Sequence, residues 1–231
     1  EQALRPIEYH DQSHAKRFIH RAPVGTVLVL APWNYPYLTA VNTIIPAILA
    51  GNSVILKHST QTPLCAERFQ AALDHTDAPV GLFQHLHLTH EQVSTVVQDT
   101  RIHFVAFTGS VNGGHRIQQA ANQRFIPIGL ELGGKDPAYV RADADLEPSV
   151  AALVDGAFFN SGQSCCGIER IYVDHSRFDD FISAYVEHVN QYRLGNPLHA
   201  DTTLGPMVSQ HAARQLQQQI DQAIQSGATP L

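Results

Sequence analysis

A chain of 231 residues, 44% hydrophobic and 16% charged, has the ordinary composition of a globular protein and is long enough to bury one sizeable core or two. Fifteen basic against 21 acidic residues leave a net charge of −6, which provides no basic patch and sets aside nucleic acid and anionic lipid as partners. The three cysteines, Cys65 and the adjacent Cys165 and Cys166, form neither a disulfide framework nor a Cys-x-x-Cys zinc pattern, so a reducing cytoplasm is expected.

The polar stretch from Glu1 to His20 has neither the apolar run of a signal peptide nor a spanning segment. Thr26-Val27-Leu28-Val29-Leu30 is a β-branched apolar run bounded by turn residues and predicts a buried parallel strand. Trp33-Asn34-Tyr35-Pro36 follows as its C-terminal loop, and an apolar helix over Leu38 to Leu49 ends at Gly51-Asn52. Ser53 to Lys57 is the next strand, completing a βαβ unit. A helix over 63 to 74, an alternating strand over 82 to 88, a short helix from Glu91 to Asp99 and a strand over 103 to 107 come next. A helix over 113 to 122 and a strand over 126 to 130 complete this alternation. Such alternation implies a mostly parallel sheet with ligands at the strands' carboxyl ends, where the loops at Asn34, Lys57 and Ser110 fall.

After Pro137 the pattern changes. Ala138 to Val140, a helix over 146 to 158, a cysteine loop, a strand over 170 to 173, an amphipathic helix over 176 to 192 and a Gln-rich helix within 206 to 227 are expected. Among fourteen histidines, His85 and His87 would share one strand face, but no carboxylate stands at ligand spacing, and no metal is expected. The cysteine loop, Phe158-Phe159-Asn160-Ser161-Gly162-Gln163-Ser164-Cys165-Cys166, is where a reactive side chain, a Gly and small polar neighbours meet. A thiol is nucleophilic when ionised, and backbone amides or a positive dipole end beside the sulfur would lower its pKa. Taken alone, the cysteines would pass for small buried hydrophobes.

Phe-Phe-Asn-Ser-Gly-Gln-Ser-Cys resembles the active-site loop of the aldehyde dehydrogenase superfamily, in which Gly-Gln-x-Cys carries the nucleophile. The resemblance places that role on Cys165 rather than Cys166. Leu130-Glu131-Leu132-Gly133-Gly134-Lys135 resembles the family's glutamate motif, and its separation from the cysteine, 34 residues from 131 to 165, matches the family's register. Ala31-Pro32-Trp33-Asn34-Tyr35-Pro36, Ile55-Leu56-Lys57, Phe107-Thr108-Gly109-Ser110 and Leu204-Gly205-Pro206-Met207 follow in family order, so the resemblance runs from about Arg21 to Met207.

The resemblance implies an α/β fold: a Rossmann-like, mostly parallel sheet forming a partial dinucleotide-binding domain over 1–130, then the first part of an α/β catalytic domain over 131–231. It implies oxidation of a small-molecule aldehyde to an acid through a thiohemiacetal and thioester on Cys165. Asn34 and the nucleophile's own N–H would hold the oxyanion, and Glu131 would activate water, which favours hydrolysis over transfer to coenzyme A. Taken alone, Asn34 reads as a turn residue, Glu131 as a surface carboxylate beside Lys135, Lys57 as a solvated lysine ending a strand, and Trp33 as a buried aromatic.

Gly109 to Gly114 lacks the third glycine spacing of the standard dinucleotide fingerprint. The family instead bonds the pyrophosphate with the serine of Phe-Thr-Gly-Ser, here Ser110 after Gly109, at a helix N-terminus. Lys57 would reach the adenosine ribose, and Trp33 would lie near the cofactor. Thr60 stands where NAD-preferring members often carry Glu, with His58 in place of the common Pro. Removing that charge lifts the barrier to a 2′-phosphate, so NADP is favoured, with NAD the alternative. The His58 variant also occurs in some semialdehyde dehydrogenase-like members. The family's full chain is about double this one and its members are dimers or tetramers, so a homo-oligomer is implied at full length. A catalytically silent piece that binds dinucleotide or a partner chain is the competing reading.

Overall fold

The central strand, β3 (Thr26–Ala31), shows how the first half of the chain is built. Its alternate side chains point to opposite faces. Val27, Val29 and Ala31 join one apolar cluster with Ala40, Ile44, Val54 and Leu56, whereas Leu28 and Leu30 join another with Val93, Val97 and Ile117. A stretch buried on both faces must be apolar, as residues 27–31 are.

A computed structural model describes residues 2–9 and 16–231 of the chain; of the polar Glu1–His20 stretch, residues 1 and 10–15 lie outside the described residues. Residues 1–132 and 133–231 form two compact units. In the first, β3 is followed by α1 (Leu38–Leu49), β4 (Ser53–His58), α2 (Leu64–Asp74), β5 (Phe83–His85), α3 (His90–Gln98), β6 (Phe104–Thr108), α4 (Val111–Ala121) and β7 (Ile128–Glu131). The strands form one parallel sheet in the order β5-β4-β3-β6-β7, the Rossmann-like arrangement expected from the alternation. Thr89 caps α3 with a reciprocal capping box to Gln92. Gly51, at φ +86, ends the α1 region in a conformation that favours glycine.

Several elements differ from expectation. The strand predicted over 82 to 88 is three residues long, because it is an edge strand that pairs only with Val54–Leu56 before the chain turns into the Thr89 cap. A short antiparallel pair not predicted from the sequence, β1 (Ile7–Tyr9) with β2 (Arg17–Ile19), precedes the sheet and is exposed throughout.

The second unit pairs β8 (Asp136–Val140) in parallel with β9 (Ile168–Val173), with α5 (Leu146–Phe158) and α6 (Phe178–Val189) supplying the core around Val140, Val150, Leu153, Val154 and Phe181. Pro137 has no N–H to offer the ladder, and the register shifts between Asp136 and Pro137. Gly156 of α5 lets Ile168 approach so closely that a Cβ would stand 2.6 Å from its Cδ1. The helix predicted over 176 to 192 begins instead as a 3-10 turn at His175–Arg177, where Asp174 accepts from the Ser176 amide. The last helix, α7 (Gln210–Gln225), starts at the Ser209 cap and buries no residue. Among the described residues, no helix is long and apolar enough to cross a membrane.

Candidate active site

Parallel strands deliver their carboxyl ends to one edge of a sheet, and in the first unit that edge gathers the residues singled out in the sequence. β3 runs into Trp33 and Asn34, β4 ends in Lys57 and His58 with Thr60 just beyond, β6 ends at Thr108 before Gly109 and Ser110, and β7 ends at Glu131. Thr108 is in register with Glu131, and the Gly109 amide donates to the Glu131 carbonyl at 3.0 Å, tying these two loops together. Trp33 and Asn34 are half-buried, and Thr60, Ser110 and Glu131 are exposed. The loop after β3 is pinned to α1 by Thr39, whose amide and hydroxyl both donate to the Tyr35 carbonyl, at 3.1 and 2.7 Å.

The donor set at this edge fits a dinucleotide. Lys57 is only 8% exposed, which corrects the reading of a solvated strand-end lysine, and burial lowers the pKa of its ammonium. A buried cation is costly without compensation, and phosphate or ribose oxygens would supply it. Ser110 is the N-cap of α4: its Oγ accepts from the Gly113 amide at 3.1 Å and keeps its own proton to donate. The first-turn amides of Val111 and Asn112 point the same way by helix geometry. The glycines serve packing here, since a Cβ on Gly109 or Gly113 would stand 2.7 or 2.5 Å from the Phe107 ring. A cavity of about 410 Å³ between α1 and β6–β7, walled by Asn42, Thr43, Phe104, Ala106 and Thr108, shares Glu131 with this edge but not Trp33, Lys57 or Ser110.

The second unit carries the adjacent cysteines, Cys165 and Cys166. After α5 the chain turns through three successive left-handed residues, Asn160 (φ 52), Ser161 (φ 59) and Gly162 (φ 70). Glycine accepts that conformation freely, whereas each other residue costs about 1–2 kcal/mol. Side chains of the loop offset the strain. Ser161 Oγ donates to the Gly205 carbonyl at 2.6 Å, and Gln163 accepts from the Val208 amide at 2.8 Å while donating to the Asn160 carbonyl at 3.0 Å. The Leu204–Met207 motif is thus the anchor of the cysteine loop, a pairing that sequence reading missed because 44 residues separate Ser161 from Gly205. The presence of both motifs in family order was the available signal.

Cys165 and Cys166 are both exposed and all three cysteines are free, which overturns the buried-hydrophobe alternative for the pair. The expected lowering of the Cys165 pKa is not found. Burial raises it, and Cys166 raises it further, outweighing the backbone N–H groups of Cys165 and Cys166 that act to lower it. The helix end nearest in sequence is the C-terminus of α5, the negative pole of its dipole. Gly134 packs beside the loop, where a Cβ would lie 3.3 Å from the Cys165 carbonyl. Lys135 forms an ion pair with Glu169.

His85 and His87 stack edge to face with ring centres 5.2 Å apart, and His87 Nε2 donates to Glu67 at 3.3 Å, a carboxylate that sequence spacing did not reveal. Among the described residues, no group of three or more His, Cys, Asp or Glu side chains could hold a metal ion.

The sequence model of a family described as "Aldehyde dehydrogenase family" matches residues 3–231. A succinate-semialdehyde dehydrogenase (NADP(+)) of Mycobacterium leprae is 33% identical over 226 residues, covering 98% of this chain and 50% of that protein. A D-glyceraldehyde dehydrogenase (NADP(+)) of Thermoplasma acidophilum is 34% identical over 217 residues, covering 94% and 44%. Among solved structures, succinic semialdehyde dehydrogenase from Streptococcus pyogenes in complex with NADP+ superposes with a TM-score of 0.92 at 29% identity, covering 98% of this chain and 50% of that one. The NAD+ complex of betaine aldehyde dehydrogenase from Staphylococcus aureus gives 0.91 at 33%, covering 97% and 45%. The chain spans about half the length of the relatives it matches.

Proposed function

The chain belongs to the aldehyde dehydrogenase family, and from that premise we propose that it carries the reacting residues for oxidation of an aldehyde to a carboxylic acid with NADP, or NAD, through a covalent adduct on Cys165. The observation that carries the reading is an exposed cysteine on a strained loop held from both Ser161 and Gln163. Strain of this kind persists only where the surroundings enforce it, and it clusters at functional sites.

Cys165 attacks the aldehyde carbonyl once its proton has left, and the carbonyl oxygen becomes an anion. Asn34 and the Cys165 amide are the donors assigned to that oxyanion. A nicotinamide cofactor, when bound, supplies the hydride acceptor that converts the thiohemiacetal to a thioester. Lys57, nearly buried, and Ser110, the N-cap of α4, would hold its ribose and phosphates, and Trp33 would flank it. Glu131 takes a proton from water, whose oxygen attacks the thioester and releases the acid and the Cys165 thiolate. The absence of a carboxylate at Thr60, together with NADP(+)-dependent relatives acting on succinate semialdehyde, supports NADP and a small semialdehyde substrate. Free cysteines support a reducing, cytoplasmic setting, and the family resemblance supports a homo-oligomer at full length.

The coverage of half the relatives' length favours a second reading, a silent piece that binds dinucleotide or another chain. Turnover of succinate semialdehyde and other aldehydes with NADP and NAD, measured side by side on this polypeptide and on its longest natural form, separates the two. Activity that Cys165→Ala abolishes and Cys166→Ala largely keeps supports the first reading. Loss that follows Cys166 instead contradicts it.

A further inference from the structure

His58 ends β4 with 2% of its surface exposed, and both of its ring nitrogens are engaged. Nε2 lies 2.8 Å from the Pro36 carbonyl, in the loop that carries Trp33 and Asn34. Nδ1 lies 3.0 Å from Thr62 Oγ1, in the turn that carries Thr60. A carbonyl only accepts, so Nε2 bears the proton, and Nδ1 then accepts from the Thr62 hydroxyl. One neutral tautomer satisfies both contacts. Burial, with some contribution from the adjacent Lys57, favours that neutral form against the opposing pull of the Pro36 and Ser59 backbone. The Ser59–Thr62 turn is itself closed by the Thr62 amide on the Ser59 carbonyl at 3.1 Å, so fixing Thr62 fixes the turn.

We propose that His58 is a positioning residue whose ring braces the Asn34 loop against the Thr60 turn, so that one side chain sets both the oxyanion donor and the group facing the cofactor's ribose. The roles of Asn34 and Thr60 rest on the function proposed above; the brace itself does not. Buried polar groups with every bond made rigidify their surroundings, and one bond removed leaves its partner unsatisfied.

The two arms can be cut separately. In His58→Gln the amide nitrogen takes the place of Nε2 and keeps the Pro36 arm. In His58→Asn the amide oxygen takes the place of Nδ1 and keeps the Thr62 arm. Trp33 is the chain's single tryptophan, so its fluorescence and acrylamide quenching report on the Pro36 loop without any activity. The expectation is that His58→Asn makes Trp33 more quenchable and weakens NADP less than His58→Gln does. His58→Gln and Thr62→Val should leave Trp33 as in wild type and weaken NADP by about three- to tenfold, the range of one lost hydrogen bond. His58→Ala should do both. Unchanged Trp33 quenching in His58→Asn, or equal movement of both readouts in every variant, would overturn the brace. A wild-type chain that does not bind NADP would contradict the cofactor reading, and the Trp33 comparison would still decide the brace.

Discussion

The two units solve the same problem with different means. In the first, helices cover both faces of a five-stranded parallel sheet, and two separate clusters hold Leu28, Val54, Leu56, Val97 and Val105 at 1% exposure or less. In the second, one cluster lies against one face of a two-stranded pair, while the registered Tyr139 and Tyr172 point outward and α7 buries nothing. The candidate residues follow this division. Lys57, Ser110 and Glu131 stand on the ends of strands or the start of a helix, positions that the core fixes. Cys165 stands on a loop of left-handed residues, fixed instead by hydrogen bonds to a distant segment. The strand-end edge is thus inherited from the sheet, whereas the cysteine loop has to be built separately.

The largest effect separates the two cores. Leu56→Ala, at 0% exposure, should cost about 2–5 kcal/mol in urea unfolding, whereas Ile220→Ala on the exposed face of α7 should change stability by no more than about 0.5 kcal/mol. Comparable losses would mean that α7 is as well buried as the sheet.

Next in size is the cofactor edge. Thr60→Glu places a carboxylate in the exposed turn after β4, and it should shift the NADP/NAD ratio of kcat/KM toward NAD by about 1–3 kcal/mol. An unchanged ratio would show that Thr60 does not face the ribose.

The division also explains what the sequence made legible. The βαβ alternation could be read because strands such as Thr26–Ala31 are continuous apolar runs and helices such as Leu38–Leu49 end at glycine, both local signals. Three-residue Phe83–His85 was overextended because alternation cannot show where an edge strand loses its partner. Each candidate residue was named from motifs, but its surroundings were not. The burial of Lys57, the two bonds of His58 and the Ser161–Gly205 contact depend on residues distant in sequence. The raised pKa of Cys165 was misread for the same reason: the motif suggests amides that lower it, while the opposing burial appears only in the folded loop.

That shift supplies the smallest and most local test. The Cys165 pKa stands above the ordinary thiol range, so the thiolate fraction is held down at neutral pH and alkylation by iodoacetamide should accelerate as the pH is made alkaline. Cys166→Ala removes both the charge and the side-chain hydrogen bond through which Cys166 raises the Cys165 pKa and leaves burial, so the alkylation profile of Cys165 should move to lower pH. A profile that stays in place would mean that Cys166 exerts no influence on its neighbour.

The central claim, that Cys165 carries the acyl group and Glu131 the water that releases it, is tested most directly by Glu131→Gln in the longest natural form of the chain. Rapid mixing with aldehyde and NADP should give a burst of NADPH followed by turnover slowed by about 10²–10⁴-fold, the range for loss of a general base. Peptide mass mapping of the quenched protein should find the acyl adduct on Cys165. A normal steady-state rate, or an adduct on Cys166, would contradict the account.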